Sequence, residues 1–268
     1  MYLTVNDHPT YCYTGGKAFD AAKPTVVFIH GVLNDHSVWT LQSRYLANHD
    51  WNVLAVDLPG HCKSEGAPAA SVESAAAFVL SLLDAAGVGK AALIGHSFGS
   101  LVALDVAASA PERVSQLVMV GTAFPMKVSP ALLALSRDEP MKAIDMVNTF
   151  SHSMLAPPPS SLGPGTWLYG GSRALMRRVL LSNPAINLFY TGFKACDDYA
   201  GGDAAIARVQ CEVLFVLGRN DQMTLPKTAQ GLISQAARGK VVEVEAGHQL
   251  MLEAPDDVLA ALKGFLRP

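Results

Sequence analysis

The stretch Lys90-Ala-Ala-Leu-Ile-Gly-His-Ser-Phe-Gly-Ser-Leu-Val-Ala-Leu104 decides the fold of this chain. It opens with a short apolar run, residues 91–94, which is typical of a buried strand. It ends in an alanine-rich segment whose apolar residues recur at helical spacing. Between the two lies Gly95-His-Ser-Phe-Gly99. We predict a sharp turn from strand to helix here, because residues without a Cβ allow two segments of chain to pass in contact.

Ser97 lies at the apex of this predicted turn. A strand, G-x-S-x-G and a helix, in that order, form the pattern of a nucleophile elbow, in which strained backbone exposes the serine hydroxyl. The helix that begins directly behind Ser97 turns its N–H groups and its positive end toward developing negative charge. A serine hydroxyl is a weak nucleophile at neutral pH. The pattern therefore requires a base within hydrogen-bonding reach and an acid that orients the base.

Two residues near the end of the chain are our candidates for that base and acid. His248 lies between the last predicted strand and the last predicted helix, and Asp221 follows the strand before it. In a parallel sheet both positions fall at the carboxyl edge, where the elbow also opens. Asp57 follows an earlier strand, and we expect it to hold its own loop. We therefore predict that Ser97, Asp221 and His248 form a catalytic triad.

Acyl transfer also needs hydrogen-bond donors for a tetrahedral oxyanion. The backbone N–H of Phe98, directly after the predicted nucleophile, is one candidate. The loop His30-Gly31-Val32, which follows the first long predicted strand, offers the second. We select the N–H of Val32, with that of Leu33 as the alternative, because Gly31 allows the backbone to approach closely.

Composition limits the class of protein. At 268 residues the chain is long enough for one large α/β domain with an insertion. Its net charge is −3 and its basic residues are not clustered, so we expect no nucleic acid and no membrane as partner. The start of the chain lacks the pattern of a signal peptide, so we expect a cytoplasmic protein. We expect it to be a monomer or a homodimer. The four cysteines lack metal-ligand spacing, and we expect neither a metal nor a cofactor.

The order of elements predicts how the chain is divided. Strands alternate with helices at short spacing up to about residue 122 and again from about residue 206, which favours a mostly parallel sheet flanked by helices. Between them, residues 123–205 contain only helical patterns and breakers. We predict an α/β core formed by residues 1–122 and 206–268, with residues 123–205 inserted as a helical cap.

Five motifs, spread over almost the whole chain, carry a family resemblance. Together they resemble the α/β-hydrolase superfamily, in its serine branch with a helical cap, whose order is Ser…Asp…His. The resemblance implies an eight-stranded, mostly parallel sheet with the cap inserted after the sixth strand. The motifs are His30-Gly31, Asp57-Leu-Pro-Gly-His61, Gly95-His-Ser-Phe-Gly99, Gly218-Arg-Asn-Asp221 and Gly247-His248.

We interpret the chain as a serine hydrolase that cleaves carboxylic esters of small to medium, largely apolar substrates through an acyl-enzyme. A lactonase, a meta-cleavage-type C–C hydrolase and a cofactor-free perhydrolase stay open as alternatives, as does a ligand receptor with a vestigial triad. Apolar residues of the insertion predict a pocket roofed by the cap, and the glycine-flanked residues 163–171 a movable gate. The predicted pocket residues are Leu33, His96, Phe124, Met126, Trp167, Tyr169, Met223 and Gln249.

Overall fold

Residues 1–20, 22–153 and 167–268 of the computed structural model are described here, and they contain a sheet of eight strands. The spatial order is β1-β2-β4-β3-β5-β6-β7-β8, in which β1 and β2 are antiparallel and β3 to β8 run parallel. The predicted mostly parallel, eight-stranded α/β fold is thereby confirmed. The strands are β1 (Tyr2–Val5), β2 (His8–Tyr13), β3 (Thr25–Ile29), β4 (Asn52–Val56), β5 (Ala91–His96), β6 (Val114–Val120), β7 (Glu212–Gly218) and β8 (Gly239–Val244).

Three of the α-helices begin at residues whose side chains cap them. Ser71 and Ser74 form a reciprocal capping box at one start, and Ser129 and Asn187 cap two others. No helix among the described residues is long and apolar enough to span a membrane. The α-helices are α1 (Thr40–Ala47), α2 (Val72–Ala85), α3 (Phe98–Ser109), α4 (Pro130–Asp138), α5 (Pro140–Ser151), α6 (Leu168–Ser182), α7 (Leu188–Asp198), α8 (Gly202–Ile206), α9 (Gln230–Gln235), α10 (Leu250–Glu253) and α11 (Pro255–Phe265).

Both faces of the central strands are buried, so their sequences are continuously apolar. Because side chains alternate along a strand, Val27 and Ile29 of β3 pack with α2 and α3, whereas Val26 and Phe28 pack with α1 and α11. Helices thus cover both faces of the sheet, and β5, whose residues are all buried, lies between these two layers. The turn that follows β5 is therefore held at a defined height above the sheet edge.

Five helices, α4 to α8, lie between β6 and β7 in the chain. Residues of α5, α6 and α7 form a third hydrophobic cluster, which Leu33 joins from the loop after β3. Since that loop lies at the carboxyl end of the strands, the cluster places these helices above the sheet edge where the elbow opens. The division of the chain into core and cap at residues 123 and 205 stays a prediction.

Candidate active site

The turn between β5 and α3 has the geometry that the glycines predict. Ser97 takes φ 53° and ψ −120°, a conformation that is strained for a residue with a side chain. A Cβ on Gly95 would lie 2.0 Å from the carbonyl oxygen of Gly99, and one on Gly99 would lie 2.4 Å from that of Ile29. Any side chain at either position would collide with backbone. The two glycines thus allow the turn that lifts Ser97 above the sheet edge.

Asp221 and His248 form a buried hydrogen-bonded pair. Asp221 Oδ2 lies 2.9 Å from His248 Nδ1, and the two residues are 1% and 6% exposed. Thr224 Oγ1 donates to the same carboxylate oxygen over 2.7 Å, while the N–H groups of Met223 and Thr224 each donate to Oδ1 over 2.8 Å. The carboxylate accepts Nδ1–H, which leaves Nε2 of His248 as the basic nitrogen.

The surroundings of Asp221 keep its carboxyl ionised. Burial alone raises the pKa of Asp221, but the charge and hydrogen bond of His248 and the hydrogen bonds from Thr224 outweigh it, so the pKa is lower than usual. Thr224 was not singled out from the sequence. Its position three residues after the aspartate is the spacing at which a side-chain carboxylate meets nearby N–H groups.

Ser97 and His248 face a common cavity of about 320 Å³. No hydrogen bond joins Ser97 Oγ to His248 within the described part of the chain, which is common for such pairs before substrate binds. The cavity has a largely apolar side and a polar side. Its walls are formed by Val32, Asn34, His96, Ser97, Met126, Lys127, Val128, Ser129, Leu132, Met146, Val147, Phe150, Ser151, Met176, Phe193, Cys196, Gln222, Met223, Thr224, His248 and Gln249.

His96 supports the loop that carries His248. Its Nε2 donates to the carbonyl oxygen of His248 over 2.9 Å, and the two rings lie 4.7 Å apart. Burial and the neighbouring His248 lower the pKa of His96 to about 3. The His96 ring is therefore neutral at physiological pH. Since His96 directly precedes Ser97, its hydrogen bond ties the elbow to the loop that carries His248.

The loop after β3 passes directly against the elbow. A Cβ on Gly31 would lie 3.1 Å from Ser97 Cβ, so only glycine fits comfortably there. Asn34 N–H donates to the carbonyl of Gly31 over 3.2 Å, which closes a turn around Val32 and Leu33. Val32 lines the cavity, but Leu33 takes φ 52° and its side chain is fully buried.

Phe98 is the first residue of α3, and its N–H has no acceptor within the helix. This N–H group lies directly behind Ser97, at the positive end of the dipole of α3. The assignment of the Val32 and Phe98 N–H groups as oxyanion donors stays a prediction.

Four of the predicted pocket residues do line the cavity: His96, Met126, Met223 and Gln249. The other four do not. The positive φ of Leu33 directs its side chain into the cluster under α5 and α7. Phe124 packs edge-on against Tyr199, with ring centroids 5.8 Å apart, and against Gly202.

Trp167 and Tyr169, two of the predicted pocket residues, do not line the cavity beside Ser97. Trp167 is 63% exposed and stacks on Tyr169 with ring centroids 5.8 Å apart. Both belong to a separate surface groove along α6, together with Arg173, Arg177 and Leu181. Of the predicted gate at 163–171, residues 163–166 lie outside the described residues, and 168–171 are the first turn of α6.

Sequence reasoning did not identify which apolar side chains of the insertion form the wall of the cavity. It noted the surplus of apolar side chains in the insertion, but the face that each helix presents depends on how the helices cross. Four methionines, Met126, Met146, Met176 and Met223, reach the cavity from different parts of the chain. Their unbranched thioether side chains adapt readily to ligands of different shape.

A second polar cluster lies outside the cavity wall. Buried Asp57 accepts hydrogen bonds from the N–H and the ring of His36, over 2.9 and 2.7 Å. Asp35 pairs with Arg178 of α6 over 2.6 Å and accepts from the Cys62 thiol over 3.4 Å. Ligand atoms of Asp35, His36 and Asp57 lie within 4.8 Å of one another. Protein donors already bind both carboxylates. Since these donors come from the loops after β3 and β4 and from α6, the cluster joins those three elements.

Comparison with known proteins agrees with this geometry. A family model described as alpha/beta hydrolase fold matches residues 24–155. The (E)-2-((N-methylformamido)methylene)succinate hydrolase of Acinetobacter baylyi is 24% identical over 252 residues, which cover 90% of this chain and 89% of that protein. Esterase YbfF of Escherichia coli is 25% identical over 256 residues, 90% of this chain and 92% of that protein. The crystal structure of the enol-lactonase from Burkholderia xenovorans is similar with a TM-score of 0.82 and 22% identity, covering 99% of both chains.

Proposed function

Because the chain belongs to the α/β-hydrolase superfamily, we propose that it is a serine hydrolase that cleaves carboxylic esters through an acyl-enzyme intermediate. The observation that carries the proposal is the buried Asp221–His248 pair, 2.9 Å apart, beside a cavity that Ser97 also lines. A strained serine, a histidine with its Nδ1 held by a carboxylate and a shared cavity are what nucleophilic acyl transfer needs.

In the proposed mechanism Ser97 Oγ attacks the acyl carbon while His248 Nε2 takes its proton. Asp221 holds the imidazole by Nδ1–H and stabilises the imidazolium that forms. The N–H groups of Val32 and Phe98 donate to the tetrahedral oxyanion, and the positive end of α3 adds to the same field. His248 then gives its proton to the leaving alcohol. A water molecule, activated by His248, hydrolyses the acyl-enzyme and releases the acid.

The cavity indicates the size and polarity of the acyl group. A volume of about 320 Å³ accommodates short to medium acyl or aryl groups but not a long-chain triglyceride. Most of the wall that the insertion contributes is apolar, with thioether and aromatic side chains among it. Lys127 is the one lysine or arginine among the described lining residues, and it is exposed. The wall thus favours an uncharged acyl group over a dicarboxylate.

A lactone is the second candidate substrate. Its cleavage uses the same attack by Ser97, except that the alcohol stays attached to the acyl-enzyme until water releases it. The similarity of the whole chain to a solved enol-lactonase supports this candidate. Comparing turnover of an aryl butyrate with that of a five-membered lactone ranks the two substrate classes.

Active-site labelling tests the proposed function. A fluorophosphonate should form one covalent adduct, which peptide mass spectrometry locates at Ser97, and hydrolysis of p-nitrophenyl butyrate should disappear in proportion to labelling. Ser109→Ala, which changes a serine at the far end of α3, is the matched control and should label normally. Complete labelling at another residue with loss of activity would contradict the assignment. One burst of p-nitrophenol without further turnover would instead favour a receptor with a vestigial triad.

A further inference from the structure

Two buried polar side chains in the cavity wall make no hydrogen bond to the described residues, whereas His96, whose Nδ1 is also unpaired, is bonded through Nε2. They are Ser151, which is fully buried and whose Oγ is unpaired, and Gln249, which is 4% exposed and whose Oε1 is unpaired. Buried polar atoms in proteins are nearly always hydrogen-bonded, and the exceptions often mark sites that a ligand completes. Both residues belong to the same wall, which suggests a common partner.

Ser151 differs from three other hydroxyl residues in the helices of the insertion. The hydroxyls of Ser136, Thr149 and Ser182 each donate to a backbone carbonyl one turn earlier, over 2.8, 2.9 and 2.7 Å. This local bond is the usual way in which a helical serine or threonine satisfies its hydroxyl. Ser151, at the end of α5, makes no such bond. Ser151 lines the cavity, and its hydroxyl has no partner there among the described residues.

The position of the two side chains indicates which part of a substrate they meet. The carbonyl oxygen of Ser151 accepts the N–H groups of His248 and Gln249, over 2.8 and 3.1 Å. Glu253 fastens the same junction by accepting from Gly247 N–H over 3.0 Å and Ser153 N–H over 2.9 Å. Ser151 and Gln249 therefore lie at the His248 end of the cavity. Since His248 must deliver its proton to the leaving oxygen, this end holds the alcohol part of the ester.

We propose that Ser151 and Gln249 form a polar subsite for a hydroxyl group on the alcohol part of the substrate. This inference rests on the proposed function. A hydroxyl both donates and accepts, so it matches the Ser151 hydroxyl and the Gln249 amide at once. A plain alkyl group would leave both unpaired. The substrate class is thus a monoester of a short diol or triol with a short to medium apolar acyl group, the apolar side of the cavity holding the acyl group.

A pair of near-isosteric esters tests the subsite. 2-Hydroxyethyl butyrate and n-propyl butyrate differ by a hydroxyl in place of a terminal methyl. The wild-type protein should prefer the hydroxy ester in kcat/KM by about tenfold, the ratio that one hydrogen bond supplies. Ser151→Ala and Gln249→Met should each bring this ratio toward one. Ser136→Ala, a buried serine whose hydroxyl is already bonded within α4, is the matched control and should keep the wild-type ratio.

Binding separates the subsite from the chemistry. In Ser97→Ala protein, calorimetry should give a Kd for the hydroxy ester about tenfold lower than that for the propyl ester, and adding Ser151→Ala should remove the difference. Turnover of both esters without a preference would overturn the subsite but not the proposed function. A binding preference without turnover in the wild-type protein would overturn the proposed function and keep the subsite. Equal Kd values, or no binding of either ester, would overturn the subsite whatever the kinetics show.

Discussion

Two buried aspartates follow strands in this protein, and their partners give them different roles. Asp221 follows β7 and holds His248 at the cavity. Asp57 follows β4, accepts from His36 and from Lys63 N–H, and does not line the cavity. The sequence alone placed both at the carboxyl edge of the sheet. Their partners distinguish Asp221, which is hydrogen-bonded to His248, from Asp57, which holds loops together.

Replacing each aspartate by asparagine should therefore affect a different property, activity for Asp221 and stability for Asp57. Asp221→Asn should lower kcat for p-nitrophenyl butyrate by about 10³- to 10⁴-fold, because an amide favours the wrong imidazole tautomer. Asp57→Asn should instead lower the free energy of unfolding by about 1–3 kcal/mol, since a buried hydrogen-bond network loses an acceptor. Steady-state kinetics and urea unfolding of both variants check this. Loss of activity in a stable Asp57→Asn protein, with Asp221→Asn active, would show that the wrong acid was chosen.

At the scale of elements, the elbow between β5 and α3 depends on the absence of side chains. Gly99 and Gly231 both lie in helices, but only Gly99 faces another backbone segment, and a Cβ on Gly231 would meet nothing within 4 Å. Gly231→Ala should raise the free energy of unfolding by up to about 1 kcal/mol through helix propensity. Gly99→Ala should lower both stability and activity. Thermal unfolding and activity of the two variants provide the measurement, and equal effects would contradict the steric account.

The wall of the cavity predicts which cap residues set substrate size. Met176 is 3% exposed and lines the cavity, so Met176→Ala should enlarge it and shift the optimum of kcat/KM toward longer p-nitrophenyl esters. Trp167→Ala is the matched control from the same segment and should keep the wild-type profile, since Trp167 lies on the outer groove. If the optimum of kcat/KM shifts in Trp167→Ala but not in Met176→Ala, the substrate does not bind in this cavity.

The sequence predicted those features that local pattern and sheet topology determine. The elbow follows from two glycines around Ser97, and the meeting of Asp221 with His248 follows from their places after parallel strands. The lining of the cavity did not follow. Trp167 and Met176 lie within three turns of the same helical segment, yet one faces solvent and the other the cavity. That difference depends on how α6 packs on α5 and α7, which single-helix periodicity does not determine.

At the scale of the whole molecule, buried neutral histidines should make stability depend on pH. His30 and His96 are at most 1% exposed, and burial lowers the pKa of both, that of His96 to about 3. In the unfolded chain these groups bind protons below about pH 6.5. The unfolded state therefore binds more protons than the folded state between that pH and the folded pKa, and stability falls as pH decreases through this window.

The expected slope from His96 is roughly 1.4 kcal/mol per pH unit between about pH 6 and pH 4.5, and His30 adds to it in the same direction. His96→Gln should flatten the profile, whereas His8→Gln, which changes an exposed histidine, should keep its wild-type slope. Urea unfolding at a series of pH values measures this. A flat wild-type profile across the window would contradict the burial of these rings as neutral groups.

The central claim is that Ser97 is the nucleophile of a hydrolase, and the most direct measurement is the kcat of Ser97→Ala protein with p-nitrophenyl butyrate. The hydroxyl at the apex contributes little to the core, so the variant should fold with an unchanged circular dichroism spectrum and melting temperature. Its kcat should fall by about 10³-fold or more, as for a triad member whose loss leaves only binding and oxyanion stabilisation. Turnover within a few fold of wild type in well-folded Ser97→Ala protein would contradict the account.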